Sequence, residues 1–206
     1  MLSGVLGAQP GFNRAFQLND EPTTGLRMLV DEDTLILFAL AQPLINPPYP
    51  WGVALIKADT LGNILSYNVV IDSLNRTYLP CHHAGILKLR NNQGYIFIGA
   101  KSVSIGFWVM RFDRSGKFVG ETHYSDVSGI TFYPTRVFED DEGGLFIFGT
   151  QQESADFMNT IFLMRISASG EKLWHKRYRA PGMFESYSSF TVRPGIMSLR
   201  WGCQSS

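Results

Sequence analysis

The chain has 206 residues, 18 of them basic and 18 acidic, so its formal net charge is zero. A hydrophobic content of 45% and an aromatic content of 13% support a sizeable buried core and set the chain apart from disordered sequences. The charge balance argues against a nucleic-acid binder, which carries a basic excess, and no apolar run approaches the roughly 18 residues that span a bilayer.

In chain order, residues 1–9 (MLSGVLGAQ) are small and apolar. They read either as the tail of a secretory signal ending near Ala8 or as an ordinary N-terminus, and the positive n-region of a signal is missing. Gly11 to Asn19 has the pattern of a lone strand. From there the chain is organised by repetition. Ungapped copies of one segment begin at Trp51, Ile105 and Asn159, a period of 54 residues, and self-similarity of this length marks a repeat architecture. Each copy opens with an apolar run ending in a cation: Val53 to Lys57, Phe107 to Arg111, Ile161 to Arg165. Side chains of a strand alternate between faces, so an unbroken apolar run predicts a strand covered on both sides, as in stacked antiparallel sheets. The cation is expected to mark where the strand leaves the core.

Each run is followed by a turn: Asp59 to Gly62, Asp113 to Gly116, Ser167 to Gly170. Asp or Ser binds the backbone ahead of it and Gly supplies the positive φ that closes the turn. The Asp residues are therefore turn formers rather than calcium ligands. A more polar strand comes next: Ile64 to Val70, Phe118 to Tyr124, Leu173 to Tyr178. It suits an outer edge, where charge discourages edge-to-edge pairing. Upstream of each copy, at looser spacing, lies a hairpin whose second strand is Leu35 to Ala39, Tyr95 to Gly99 or Leu145 to Gly149. One unit thus has strands a, b, c and d, with the variable connection between b and c. The units span about 20–71, 76–125 and 130–179. A partial unit at 186–201, with strands Tyr187 to Val192 and Ile196 to Trp201, could be completed by strand 11–19.

The expected fold is all-β, a β-propeller-like array of four-stranded antiparallel blades within a single repeat domain of residues 1–206. Three complete units and partial terminal strands make either a small four-bladed ring or an open arc of a larger propeller. An open arc would expose apolar blade faces and should aggregate or oligomerise.

On these residues the chain resembles a family of exported bacterial β-propeller repeat proteins of the Bacteroidetes type. Their unit joins Gly-Gly-Tyr-Ile-Val-x-Gly to Tyr-Leu-Ile-Lys-Leu-Asp-x-x-Gly-Asn-x-x-Trp. Matching pieces are Gly94 to Gly99, Gly143 to Gly149, Ala54 to Asn63, and Leu163 through Trp174, and the similarity covers about residues 12–200. The Trp of the pattern is kept at Trp174, with Ser66 and Gly120 in the other copies. The resemblance implies export and a surface or adhesive role.

Candidate chemistry is sparse. Cys81-His82-His83 is a cluster of soft ligands, but adjacent strand residues point to opposite faces, and zinc needs three or four convergent ligands. With His123 and His175 at non-equivalent positions, no metal or cofactor is expected. The two cysteines, Cys81 and Cys203, either pair or stay as free thiols. Acids such as Asp31, Glu32, Asp33 and Glu139 to Glu142 fall in a–b turns, where solvation is the default. The candidate ligand-binding residues are Tyr49 and Trp51, set among Pro47, Pro48 and Pro50. Rigid exposed aromatics bind a glycan or protein at low ordering cost, whereas the bland alternative has Trp51 packing under its loop. The expected function is a non-enzymatic propeller scaffold, secreted or on the cell surface, that binds protein or polysaccharide through blade loops. The alternatives are a carbohydrate-active hydrolase or lyase with a site in the central funnel, and a structural fragment without independent activity.

Overall fold

The computed structural model describes residue 18 and residues 23–42, 50–79, 85–101, 106–125, 130–152, 159–178, 187–193 and 196–202, the last two segments as backbone. The described chain is all-β. Among the described residues there is no α-helix, and a 3-10 turn at Arg90–Asn92 is the sole helical element.

Sheet I is β1 (Thr23–Asp31), β2 (Thr34–Ala41), β3 (Gly52–Asp59) and β4 (Ile64–Val70), hydrogen-bonded in chain order and antiparallel. Sheet II contains β5 (Tyr78–Leu79), β6 (Ile86–Lys88), β7 (Tyr95–Lys101), β8 (Phe107–Phe112) and β9 (Phe118–Tyr124). Both β5 and β6 pair with β7, so together they occupy the place of a single first strand. Sheet III is β10 (Thr131–Glu139), β11 (Leu145–Gln152), β12 (Asn159–Ile166) and β13 (Lys172–Tyr178), again in chain order. A hairpin of β14 (Tyr187–Arg193) and β15 (Ile196–Gly202) follows. The a-b-c-d order read from the repeat is therefore the hydrogen-bonding order, and among the described residues β4, β9 and β13 are edges.

The turns form by the chemistry their residues dictate. Asp59 accepts the amides of Leu61 and Asn63 at 2.9 and 2.7 Å, and Asp113 accepts that of Lys117 at 3.0 Å. The Ser167 hydroxyl does the same for Glu171 at 3.0 Å. Gly62, Gly116 and Gly170 all take positive φ. The turn acids are thus occupied by their own backbone.

Every c strand divides its residues between two cores. Val53 and Leu55 of β3 join Tyr95, Phe97, Met110 and Phe112 of sheet II in one cluster. Ala54 and Ile56, on the reverse face, pack with Leu18 and Ala39. Val109 and Ile98 of sheet II in turn pack on Ile147, Phe162 and Met164 of sheet III. Sheet II is thus buried between its neighbours, as the unbroken apolar runs require. We call the face toward the following sheet leading and the face toward the preceding one trailing. Phe38 and Phe97 stack across the first joint at 5.3 Å, and Phe107 meets Phe162 across the second at 6.1 Å.

The expectation for the cations needs correction. Lys57, Arg111 and Arg165 do not mark the exit from the core, because the following Ala58, Phe112 and Ile166 are buried. Alternation explains it: the cation sits on the leading face at the sheet's margin, while the next residue returns to the trailing core. Arg165 shows how the charge is accommodated. Its guanidinium lies 5.5 Å from the Phe146 ring and binds Asp140 at 2.8 Å and Glu142 at 2.6 Å.

Two irregularities recur. Strand a carries an unpaired residue between Gly25 and Arg27 in sheet I and between Pro134 and Arg136 in sheet III. Strand d carries one in all three sheets, opposite Lys57/Ala58, Arg111/Phe112 and Arg165/Ile166. Such bulges bend and twist an edge away from easy pairing.

Candidate functional site

The two ends of the sheets differ in character. At the end bearing the a–b and c–d turns, charged groups tie one sheet to the next. Lys88 of β6 donates to Asp31 Oδ1, and the Tyr95 hydroxyl donates to Asp31 Oδ2 at 2.6 Å. Both interactions hold the buried Asp31 carboxyl below the ordinary carboxylate range, the Lys88 bond most and the Tyr95 bond next. Arg114 reaches Glu32 at 3.2 Å. At the second joint the Arg90 amide donates to Glu139 at 2.7 Å, and its guanidinium pairs with Asp141. Successive a–b turns therefore run acidic, basic, acidic.

The opposite end carries the b–c and d–a connections, with Trp51 and Trp108 beside them. Trp51, just before β3, is half-buried with its ring packed against the core shared by sheets I and II. Its carbonyl accepts the Tyr78 amide at 2.8 Å. Tyr49, like Pro47 and Pro48, lies outside the described residues.

Beside Trp51 is a set of residues that sequence reasoning did not single out. The connection from β4 to β5 is pinned by Asp72, which is buried and receives the Leu74 amide at 3.0 Å. Asp72 also takes two bonds from the Arg76 guanidinium, each 2.9 Å. Asn75 closes the loop at φ 55°, a conformation that Asn tolerates better than most residues. The paired Arg76 guanidinium lies 5.2 Å from the centre of the Trp108 ring. Trp108 in turn stacks on exposed His123 of the neighbouring strand, with ring centres 4.4 Å apart. Underneath, the Tyr78 hydroxyl donates to Glu121 at 2.8 Å, and burial pushes the Tyr78 phenol strongly up, so it stays a neutral donor. One signal was available in the sequence: Trp108 replaces Ala54 and Phe162 of the other copies in an otherwise uniform run.

His175, at the corresponding margin of sheet III, bonds the buried Gln151 at 2.7 Å and lies edge-on to Phe132 at 5.3 Å. It fills space in the second joint. Cys81, His82, His83 and Cys203 lie outside the described residues. Among the described residues no three His, Cys, Asp or Glu side chains converge as a metal site would need, and no helix is long and apolar enough to cross a membrane.

The arrangement offers recognition surface: a flat aromatic pair, a fixed guanidinium and a neighbouring carboxylate on connections held by rigid sheets. The sequence matches no family model and no curated protein.

Proposed function

We propose that this chain is a non-enzymatic, propeller-like binding scaffold, exported or surface-associated, that engages a protein or polysaccharide through its b–c and d–a connections. The observation that carries the reading is a contrast between the two ends of the sheets. The joints and c–d turns repeat closely, whereas the b–c connections differ in length and bring Trp51 and Trp108 to one end with Arg76 and His123. Function concentrates on variable loops that a constant scaffold presents. Aromatic faces suit the apolar faces of sugar rings or the side chains of a protein, and the paired guanidinium and Glu121 suit their hydroxyl groups. The resemblance to exported repeat proteins points the same way.

The test is a glycan array and a pull-down with the full chain and with a Tyr49→Ala, Trp51→Ala double variant. Specific binding that falls about tenfold or more in the variant, at an unchanged far-ultraviolet spectrum, supports the proposal. Binding that is absent in the parent, or equal in the variant, refutes it. A His123→Ala variant gives a second reading, because His123 is exposed and its loss leaves the core intact.

A further inference from the structure

The two joints are built alike but close differently at one point. At the second, Tyr124 ends β9 on the leading face, stacked on Phe107 of the same sheet at 5.4 Å. Its hydroxyl crosses to the c–d turn of sheet III and donates to the Gly170 carbonyl at 2.7 Å. A Cβ at Gly170 would stand 3.6 Å from that hydroxyl and 3.7 Å from the hydroxyl of Thr122. One period earlier Tyr124 becomes Val70, which pairs with Val53 as Tyr124 pairs with Phe107. A valine side chain ends at its two methyl groups and has no phenol to span the joint. Thr122 and Gly170 become Asn68 and Gly116, and here these two line a cavity of about 210 Å³.

Leu55, buried in the first joint, gives the cavity its apolar surface. Ser66 and Asn68 of the β4 edge line one side, and Ser115, Gly116 and Lys117 of the sheet II turn line the other. Among the described residues, no hydrogen bond or ion pair engages the side chains of Ser66, Asn68 or Lys117. The lining holds no carboxylate, and the acids of the adjoining turns are engaged. Asp113 accepts the Ser115 hydroxyl at 2.6 Å, and Glu32 pairs with Arg114 at 3.2 Å. Lys57 borders the cavity: its Cδ lies 3.5 Å from where a Gly116 Cβ would be, and its ammonium donates to the Arg114 carbonyl at 3.1 Å. An ammonium has three donors, so two are left for a ligand. The second joint differs here too, with Glu171 in the place of Lys117.

We propose that this cavity binds one hydroxylated carboxylate, a sugar acid, with its carboxylate on Lys117 and Lys57 and its ring hydroxyls on Ser66 and Asn68. Size and chemistry select that ligand. A water takes about 30 Å³ in the liquid, so the space equals about seven waters, room for a single ring and not for a chain. Two ammonium groups with no acid in the lining favour an anion through charge-assisted hydrogen bonds. Hydroxyl and amide groups facing a single leucine favour a ligand that carries hydroxyls over an apolar one. None of these residues belongs to the site beside Trp51, so a chain that fails the test given above leaves this inference standing.

The test is an NMR titration of the full, isotope-labelled chain with D-glucuronate, D-glucose and acetate. Glucuronate should saturate with a dissociation constant of about 1 mM or below and move the amides of Ser66, Asn68, Gly116 and Lys117. Glucose and acetate each carry only part of the recognised chemistry and should bind about tenfold or more weaker. Lys117→Glu, which copies the second joint, should weaken glucuronate about tenfold or more at an unchanged far-ultraviolet spectrum. Val70→Tyr should abolish binding by filling the cavity as Tyr124 does, and Lys117→Glu decides the matter if that variant does not fold. A glucuronate tetrasaccharide separates the two sources of this chemistry. Binding no weaker than the monomer points to the terminal residue of an acidic polysaccharide, weaker binding points to the free acid, and both support the site. Absence of saturation by glucuronate overturns the proposal. So do shifts centred on other residues, glucose or acetate binding as tightly, or undiminished binding by Lys117→Glu.

Discussion

Asp31 is buried in the first a–b turn, with Lys88 on one carboxylate oxygen and Tyr95 on the other. Because both partners belong to sheet II, one side chain of sheet I couples the two sheets. Its carboxyl is held below the ordinary range, so the unfolded chain binds the proton more readily, near a pKa of about 3.9. The sign follows: the contribution is complete above that pKa and is lost as pH falls below it through the folded value. Asp31→Asn should lower stability by about 1–2 kcal/mol at neutral pH. It should also flatten the acid limb of the stability curve, as read by urea denaturation between about pH 2 and 6. A glycine shows the opposite kind of constraint. A Cβ at Gly149 would stand 2.2 Å from the Tyr133 carbonyl oxygen and 2.7 Å from Pro134 Cα, both backbone atoms of the adjacent strand. Gly149→Ala should therefore cost about 3 kcal/mol, since neither atom can swing aside as a side chain could. Its melting temperature should fall well below that of Gly120→Ala, where a Cβ would meet nothing within 4 Å.

At the scale of elements, the central strands b and c hold ladders on both edges, while a and d each have one free edge in the described chain. Hydrogen exchange should find the slowest amides in β2, β3, β7, β8, β11 and β12, and faster exchange at the recurrent bulges of strand d. The residues offset at those bulges, Leu65, Val119 and Leu173, are exposed although apolar. They show where reading the sequence runs out. Strands b and c were legible to within a few residues because doubly covered strands are apolar without interruption. The c–d turns were legible because Asp, Ser and Gly carry their conformation locally. The bulge was not, because one extra residue reverses the in-out alternation and leaves no compositional trace. The division of the first strand of sheet II into β5 and β6 was equally hidden. At the candidate site, Trp51 was singled out from its proline-rich setting. Asp72, Arg76, Trp108 and His123 were not, because their association depends on a loop of one unit reaching a strand of the next.

At the scale of the molecule, sheet II is both neighbour and spacer, with Phe97 and Met110 committed to the first joint and Ile98 and Val109 to the second. Aromatic contacts concentrate the coupling: Phe38 stacks on Phe97 at 5.3 Å and meets Phe112 edge-on at 5.5 Å. Phe38→Ala should remove about 3–5 kcal/mol. Because Phe38 belongs to the core that joins sheet I to sheet II, the loss should fall mainly on the attachment of sheet I. Calorimetry should then show a broadened or two-step transition where the parent shows one. A single unbroken transition shifted as a whole would mean that the three sheets unfold as one block.

The sequence of signs along the a–b turns gives the stack a parity. Asp31 meets Lys88, and the Arg90 guanidinium meets Asp141, so each turn recognises a neighbour of opposite sign. Duplicating one sheet in place would bring cation against cation or acid against acid at the new boundary, whereas duplicating an adjacent pair keeps every boundary matched. A lengthened version of this protein should therefore tolerate growth by twos better than growth by ones.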